Sequence, residues 1–332
     1  MARPLQGSMK AILHHTYGSP DVLRYEDTDK PVATDSEVVL RVHAASVNPL
    51  DWHFMRGEPY ALRLVTGLPE PKDARLGVDV AGVVDSVGRN VTRFQMGDEV
   101  FGAARGAFAE YACAPESSLA VKPPNFTFEQ AAAVPIAGVS ALQGLRDAGH
   151  IQPGNRVLIN GASGGVGTFA VQIAKSFGAD ITGVCSTRNV DMVHTLGAYR
   201  VIDYTREDFT RGAARYDVIL DCVGNHSLSS IRRVVAPKGR YVPVGAEGSR
   251  WMLGAFARSF TAMALSQLGS RKMVPFFLAK MNQEALTTLG KLIASGKVVP
   301  VIDRSYSLIE TPDAIGYLEK GRARGKVVIT MG

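Results

Sequence analysis

Val157-Leu158-Ile159-Asn160-Gly161-Ala162-Ser163-Gly164-Gly165-Val166-Gly167 is the stretch whose reading decides the fold. A short apolar run ends in a glycine cluster, and a helical pattern follows over residues 168–177. A strand, a glycine turn and a helix N-terminus together suit a dinucleotide phosphate. Gly164 lets the backbone approach the pyrophosphate, Gly167 lets the helix pack on its strand, and the first turn supplies free N–H groups and a positive dipole end. The literal G-x-G-x-x-G pattern fails at its first glycine, where Ala162 stands, and an ordinary tight turn is the competing reading.

Outward from this stretch, short apolar runs alternate with helical patterns. Strands are expected at 156–160, 180–185, 199–203, 216–221 and 239–244, with helices at 166–177, 189–196 and 227–235. That alternation predicts a doubly wound parallel sheet of the Rossmann type, an α/β fold with its ligand at the carboxyl ends of the strands. The first third of the chain reads instead as β, in short runs punctuated by Gly, Pro and Asn: strands near 38–42, 80–87 and 97–101 suggest a compact barrel-like domain. Residues 283–294 form an amphipathic helix pattern, and strands at 298–303 and 326–330 are expected to return to that first domain.

Composition narrows the class. The 332 residues are 46% hydrophobic and 20% charged, long enough for two domains. Cys113, Cys185 and Cys222 have no paired spacing, so neither a disulfide framework nor a zinc ribbon is expected, and a reducing, cytoplasmic setting is the default. The +6 net charge is dispersed without a block of like charges, which argues against nucleic-acid binding. No signal peptide is read, and residues 1–8 look like an expression-vector remnant before a start at Met9. The apolar stretch 251–268 carries Arg258 and several small polar residues, so a lid or subunit contact is expected rather than a membrane span, with peripheral membrane contact unlikely.

NAD-binding units place an acid about 20 residues beyond the glycines, on the ribose 2′-hydroxyl. Here that strand ends in Val184-Cys185-Ser186-Thr187-Arg188, with no acid. Hydroxyl donors and a guanidinium suit a 2′-phosphate, so NADPH is favoured over NADH. A solvated surface role for Arg188 is the alternative.

Taken together with Ala45-Ser46-Val47-Asn48-Pro49-Leu50-Asp51, Gly77-Val78-Asp79-Val80-Ala81-Gly82, Gly97-Asp98-Glu99-Val100 and Gly321-Arg322-Ala323-Arg324-Gly325-Lys326, these blocks resemble the medium-chain dehydrogenase/reductases. The resemblance is to their zinc-independent quinone oxidoreductase branch, and most to reticulon-interacting and chloroplast-envelope members. It implies a Rossmann domain (128–280, with a lid segment at 250–280) inserted in a GroES-like β-barrel domain built from 1–127 and 281–332, with the active site in the cleft between them. Zinc members carry cysteine where Ser46 stands and His-Glu where Val78-Asp79 stands, together with a four-cysteine lobe. Residues 103–115 hold only Cys113, so no metal ligands are expected.

The resemblance further implies an activated acceptor, a quinone or an enone, reduced by hydride from NADPH. It places Ser163, Gly164, Gly165 and Val166 at the phosphates, with Ser186, Arg188 and Tyr204 around the 2′-phosphate. Cys222 and Gly224 fall beside the adenine-ribose path, Phe277 by the nicotinamide, and Arg324, Gly325 and Lys326 return from the C-terminal part. Packing roles compete for Cys222 and Tyr204. On the substrate side it implies Asn48, Asp51 and His53. Relatives often carry Tyr or Lys in place of His53, so this histidine is either a cofactor-pocket residue or a proton donor; Asn48 and Asp51 could equally shape the loop. His14, His15, His43, His150, His194 and His226 show no ligand spacing. Two other functions compatible with the sequence are a zinc-free aldehyde or ketone reductase and a non-catalytic NADPH-binding sensor. A homodimer is a possible assembly.

Overall fold

Strand β3 (Glu37–Val47) is apolar along almost its whole length because it is paired on both sides, which removes the polar face an edge strand would show. In this computed structural model, which describes residues 7–244, 261–264, 266, 270–275 and 277–332, it is the centre of the first of two units. That unit gathers the chain up to Ile136 with Met281–Ala294 and Ile302–Gly332. Here β1 (Ser8–His14) and β2 (Leu23–Asp29) form an antiparallel ribbon. A seven-stranded sheet joins β3 with β4 (Asp79–Val87), β5 (Glu99–Ala103), β6 (Tyr111–Pro115), β7 (Leu119–Val121), β14 (Ile302–Ser307) and β15 (Lys326–Thr330). Its core is built from Leu40, Val42, Val80, Val84, Val100 and Phe108, all buried.

The second unit comprises Ala137–Lys280 and Ser295–Val301. Its six strands run in the order β10-β9-β8-β11-β12-β13, every pair parallel. They are β8 (Arg156–Asn160), β9 (Asp180–Cys185), β10 (Arg200–Asp203), β11 (Tyr216–Asp221), β12 (Val235–Pro243) and β13 (Lys272–Met273). Helices Gly165–Ser176, Val190–Leu196 and Leu228–Val234 connect them. This is the doubly wound sheet expected from the alternating pattern.

Two details depart from expectation. The first unit extends to Ile136 rather than stopping at residue 127, because the helix Phe128–Ala132 packs on β3 and β4 and the Ile136 N–H donates to Asp79 Oδ1 at 2.9 Å. The strand expected at 298–303 begins only at Ile302. Residues before it are held by a side chain instead: Gln172 Oε1 accepts from Val299 N (2.8 Å) and Gln172 Nε2 donates to Val299 O (2.9 Å). Pro300 has no N–H for a ladder. The stretch 251–268 lies outside the described residues except for a helical turn at 261–264 and Ser266. No helix among the described residues is long and apolar enough to cross a membrane.

Candidate functional site

The glycine turn after β8 is shaped by backbone contacts that leave no room for side chains. Gly161 has φ +83°, the left-handed region that favours glycine. It thus performs the tight turn expected one position later, where Ala162 is buried. A Cβ on Gly167 would lie 2.1 Å from Gly161 O, so the helix Gly165–Ser176 can approach β8 only without one. At Gly164, by contrast, an added Cβ would meet no protein atom nearer than Gly161 O at 3.5 Å. Protein packing leaves that space open, and the first N–H groups of a twelve-residue helix, at Gly165, Val166 and Gly167, have no acceptor within their own helix. The residues present therefore fit a bound dinucleotide phosphate.

Ser163 and Ser186 are joined through Asn189, a residue the sequence reading missed. Asn189 Nδ2 donates to Ser163 Oγ at 3.0 Å and to Ser186 Oγ at 3.2 Å, tying the glycine turn to the end of β9. Arg188 is exposed beside them, and the Tyr204 ring is also exposed, its N–H donating to Cys185 O at 3.0 Å. No acid ends β9, but the neighbouring strand brings one. Asp203 Oδ2 accepts from Thr187 Oγ1 at 2.6 Å, and Asp203 Oδ1 accepts from Thr205 N and Oγ1. The Thr187 hydroxyl, helped by Thr205, holds this carboxyl below its usual range. The expectation of a carboxylate-free pocket is corrected to that extent: the acid arrives from β10, by strand adjacency and not by sequence distance.

The carboxyl ends of β8, β11 and β12 are clamped by buried Asp221. Its Oδ1 accepts from Asn160 Nδ2 (2.8 Å), Val223 N and Gly224 N (2.9 Å), and its Oδ2 from the Tyr241 hydroxyl (3.0 Å). Gly224, at φ +78°, and Cys222 are thereby fixed at the strand end. Burial pushes the Cys222 thiol well up, with Asp221 adding to it, so it is held protonated. Phe277 is half-buried near Gly144 in the same unit.

In the first unit Asn48, Asp51 and Lys326 converge with two residues not assigned a role from sequence, Ser46 and Asp79. The register explains it: Ser46 of β3 is paired with Asp79 of β4 and with Val328 of β15. Asp79 Oδ2 accepts from Ser46 Oγ (2.8 Å) and Asn48 Nδ2 (2.9 Å), and the Lys326 Nζ lies 3.3 Å away. Lys326 also donates to Asn48 Oδ1 (2.5 Å) and Val47 O (3.4 Å). All five side chains are buried. Lys326, expected at the cofactor, donates within this network. Asp51 sits at the third position of the helix Pro49–Arg56, where its Oδ2 accepts from the Asn48 N–H at 2.7 Å. Among the described residues its Oδ1 has no close hydrogen-bond partner. Burial, reinforced by Asp79, pushes the Asp51 carboxyl up to about 7, against the Asn48 N–H and Lys326.

His53 faces another way. Its Nδ1 lies 2.7 Å from Glu58 O, a carbonyl that can only accept, so Nδ1 carries the proton and Nε2 of the neutral ring is an acceptor. The ring lies against Trp52 with centroids 3.7 Å apart, and burial lowers its pKa. Arg324 is exposed and its N–H donates to Asp303 Oδ2 at 3.0 Å, while Gly325 is buried at φ +104°. Among the described residues no cluster of three or more His, Cys, Asp or Glu side chains could hold a metal ion.

Comparison with known proteins agrees with this architecture. Residues 34–124 match the alcohol dehydrogenase GroES-like domain family, and residues 196–329 match the family described as zinc-binding dehydrogenase. A 2-methylene-furan-3-one reductase of Solanum lycopersicum is 35% identical over 98% of this chain and 80% of its own length. A chloroplast envelope quinone oxidoreductase homolog of Arabidopsis thaliana is 30% identical over 97% of this chain and 98% of its own. Among solved structures, the quinone oxidoreductase from Coxiella burnetii superposes with a TM-score of 0.85 at 32% identity, covering 98% of this chain and 99% of that one.

Proposed function

Because the chain belongs to the medium-chain dehydrogenase/reductase superfamily, we propose that it is an NADPH-dependent, zinc-independent oxidoreductase that reduces a quinone or an α,β-unsaturated carbonyl. The observation that carries this reading is the glycine turn after β8, with its open space at Gly164 and helix N–H groups. The bound nicotinamide would supply the hydride. The protein's work is to bind, orient and steady charge.

Ser163, Gly164, Gly165 and Val166 offer donors to the pyrophosphate. Ser186, Arg188 and Tyr204 offer hydroxyls and a cation to a 2′-phosphate, against the nearby Asp203 carboxylate. Cys222, Gly224, Phe277, Arg324 and Gly325 shape the remaining cofactor surface. His53 Nε2 suits a cofactor or substrate hydroxyl that donates to it. An aldehyde reductase that used His53 as its acid would need the imidazolium, which burial disfavours. Asn48 and Asp51 act as positioning residues, locked to each other and to Asp79 and Lys326. Ser46 and Val78 stand where zinc relatives place ligands, and the ammonium of Lys326 beside Asp79 repels a second cation there. An acceptor activated by conjugation needs no Lewis acid. The free cysteines suit a reducing compartment such as the cytoplasm, and the resemblance suggests a homodimer.

The test is nicotinamide oxidation with a naphthoquinone, an enone and a simple aldehyde, comparing NADPH with NADH, with a chelator control and an Arg188→Ala arm. Chelator-insensitive turnover of quinone or enone is expected, with NADPH preferred and the preference reduced in R188A. Turnover of the aldehyde alone, or none, would refute the acceptor class. Equal use of both cofactors would refute the phosphate pocket.

A further inference from the structure

Arginines elsewhere in this chain are commonly neutralised. Arg56, Arg75, Arg89 and Arg200 each sit against a carboxylate, at Glu319, Asp73, Asp35 and Glu207. In the second unit Arg215, Arg233 and Arg271 depart from that habit. A cavity of about 390 Å³ is lined by Arg215, Ser229, Arg232, Arg233 and Arg271, with no carboxylate among the described lining residues. Three of the guanidinium groups are fixed by neutral acceptors. Arg215 Nη1 donates to Ala213 O (2.8 Å) and Ala214 O (3.0 Å), Arg271 Nε to Val235 O (2.8 Å), and Arg233 Nη2 to Ser230 Oγ (3.1 Å). These contacts set the orientation of the groups without cancelling their charge.

The place in the fold is equally specific. Arg215 immediately precedes β11, Arg271 precedes β13, and Arg232 and Arg233 end the helix that leads into β12. All six strands are parallel, so this cavity lies at their amino ends, whereas the glycine turn follows the carboxyl end of β8. The cluster is therefore no part of the dinucleotide site.

We propose that this arginine cavity is a second anion site that takes a phosphate-bearing ligand. Like charges gathered in one concave site repel, and a bound polyanion relieves that repulsion. Phosphate fits better than a lone carboxylate: it carries more charge, it offers several oxygens to planar guanidinium forks, and Ser229 adds a hydroxyl donor. The volume falls in the range of small-molecule sites, above the needs of a single inorganic ion. A soluble phosphate ester and an anionic lipid headgroup share this chemistry.

The test is calorimetric titration of inorganic pyrophosphate into the full chain saturated with NADPH, which keeps pyrophosphate off the glycine turn. One site is expected, weakened by added salt. R215Q and R233Q should each bind about tenfold more weakly, R233K should keep most of the affinity, and NADPH binding should be unchanged in all three. In a parallel arm, phosphatidylcholine vesicles with and without phosphatidic acid are sedimented with the protein. Pelleting that needs phosphatidic acid and is competed by pyrophosphate assigns the site to a lipid headgroup. Calorimetric binding without pelleting assigns it to a soluble phosphate compound. Absence of pyrophosphate binding, or binding that R215Q and R233Q leave unaltered, overturns the proposal.

Discussion

Replacing Lys326 by methionine separates two roles that the sequence and the geometry give this residue. In the structure only 3% of the residue is exposed, and its ammonium lies between Asn48 Oδ1 at 2.5 Å, Asp79 Oδ2 at 3.3 Å and Val47 O at 3.4 Å. Methionine keeps most of the stem and removes the charge. Asp79, with no exposure, would then keep the donors from Ser46, Asn48 and Ile136 but lose the cation beside it, and Asn48 Oδ1 would lose the Lys326 donor. Removing one partner of a buried ion pair costs about 3–5 kcal/mol, mostly the penalty of the charge left behind. For a unit of this size that lowers the melting temperature by about 10 °C. The assay is urea and thermal unfolding of the full chain, with NADPH affinity measured under conditions where the variant is folded. Asp79→Asn and the double variant complete a cycle, and the double should cost less than the two singles summed. A K326M protein as stable as the parent, yet unable to bind NADPH, would refute the buried-network account and restore Lys326 to the cofactor.

The Asp51 carboxyl gives a pH signature. Its folded pKa, about 7, lies above the ordinary carboxylate value, so its contribution to stability is fully present below that ordinary value and is lost as pH rises through about 7. Urea midpoints measured across that window should fall with pH in the parent and fall less in Asp51→Asn; superimposable profiles would contradict the assignment. Two glycine variants should part company. Gly167→Ala forces a Cβ to 2.1 Å from Gly161 O and is expected to cost about 1–3 kcal/mol of stability, whereas Gly164→Ala should melt like the parent but lose most of its stabilisation by NADPH. If Gly164→Ala is stabilised by NADPH as strongly as the parent, the open space there is not the phosphate cradle.

Much of this architecture is legible in the chain because burial writes itself as apolar runs. Strands β8, β9 and β11 are such runs and lie where the sequence puts them. Strand β14 is Ile-Asp-Arg-Ser-Tyr-Ser, with no buried residue, and nothing in that composition marks it. The apolar segment before it attracted the assignment instead. The site shows the same division. Glycines announce a turn, although which one takes the left-handed φ depends on the path of the chain, so Gly161 went unnoticed beside Ala162. Asn189, Asp221 and Asp79 act through hydrogen bonds to residues 26, 61 and 31 positions away, and single-chain patterns carry no trace of such partners. Asp203 meets Thr187 because β10 lies beside β9, a neighbour relation that only the folded sheet defines.

Strand β15 has a consequence for synthesis. It closes the first unit's sheet between β3 and β14, yet it is translated after the whole of the second unit. A nascent chain can therefore complete the parallel sheet of the second unit while β3 still presents part of its edge. During that interval Asp79 has no lysine beside it, since Lys326 opens β15. The unit begun first on the ribosome is finished last, and the docking of a single late strand both pairs the open edge and delivers the counter-charge.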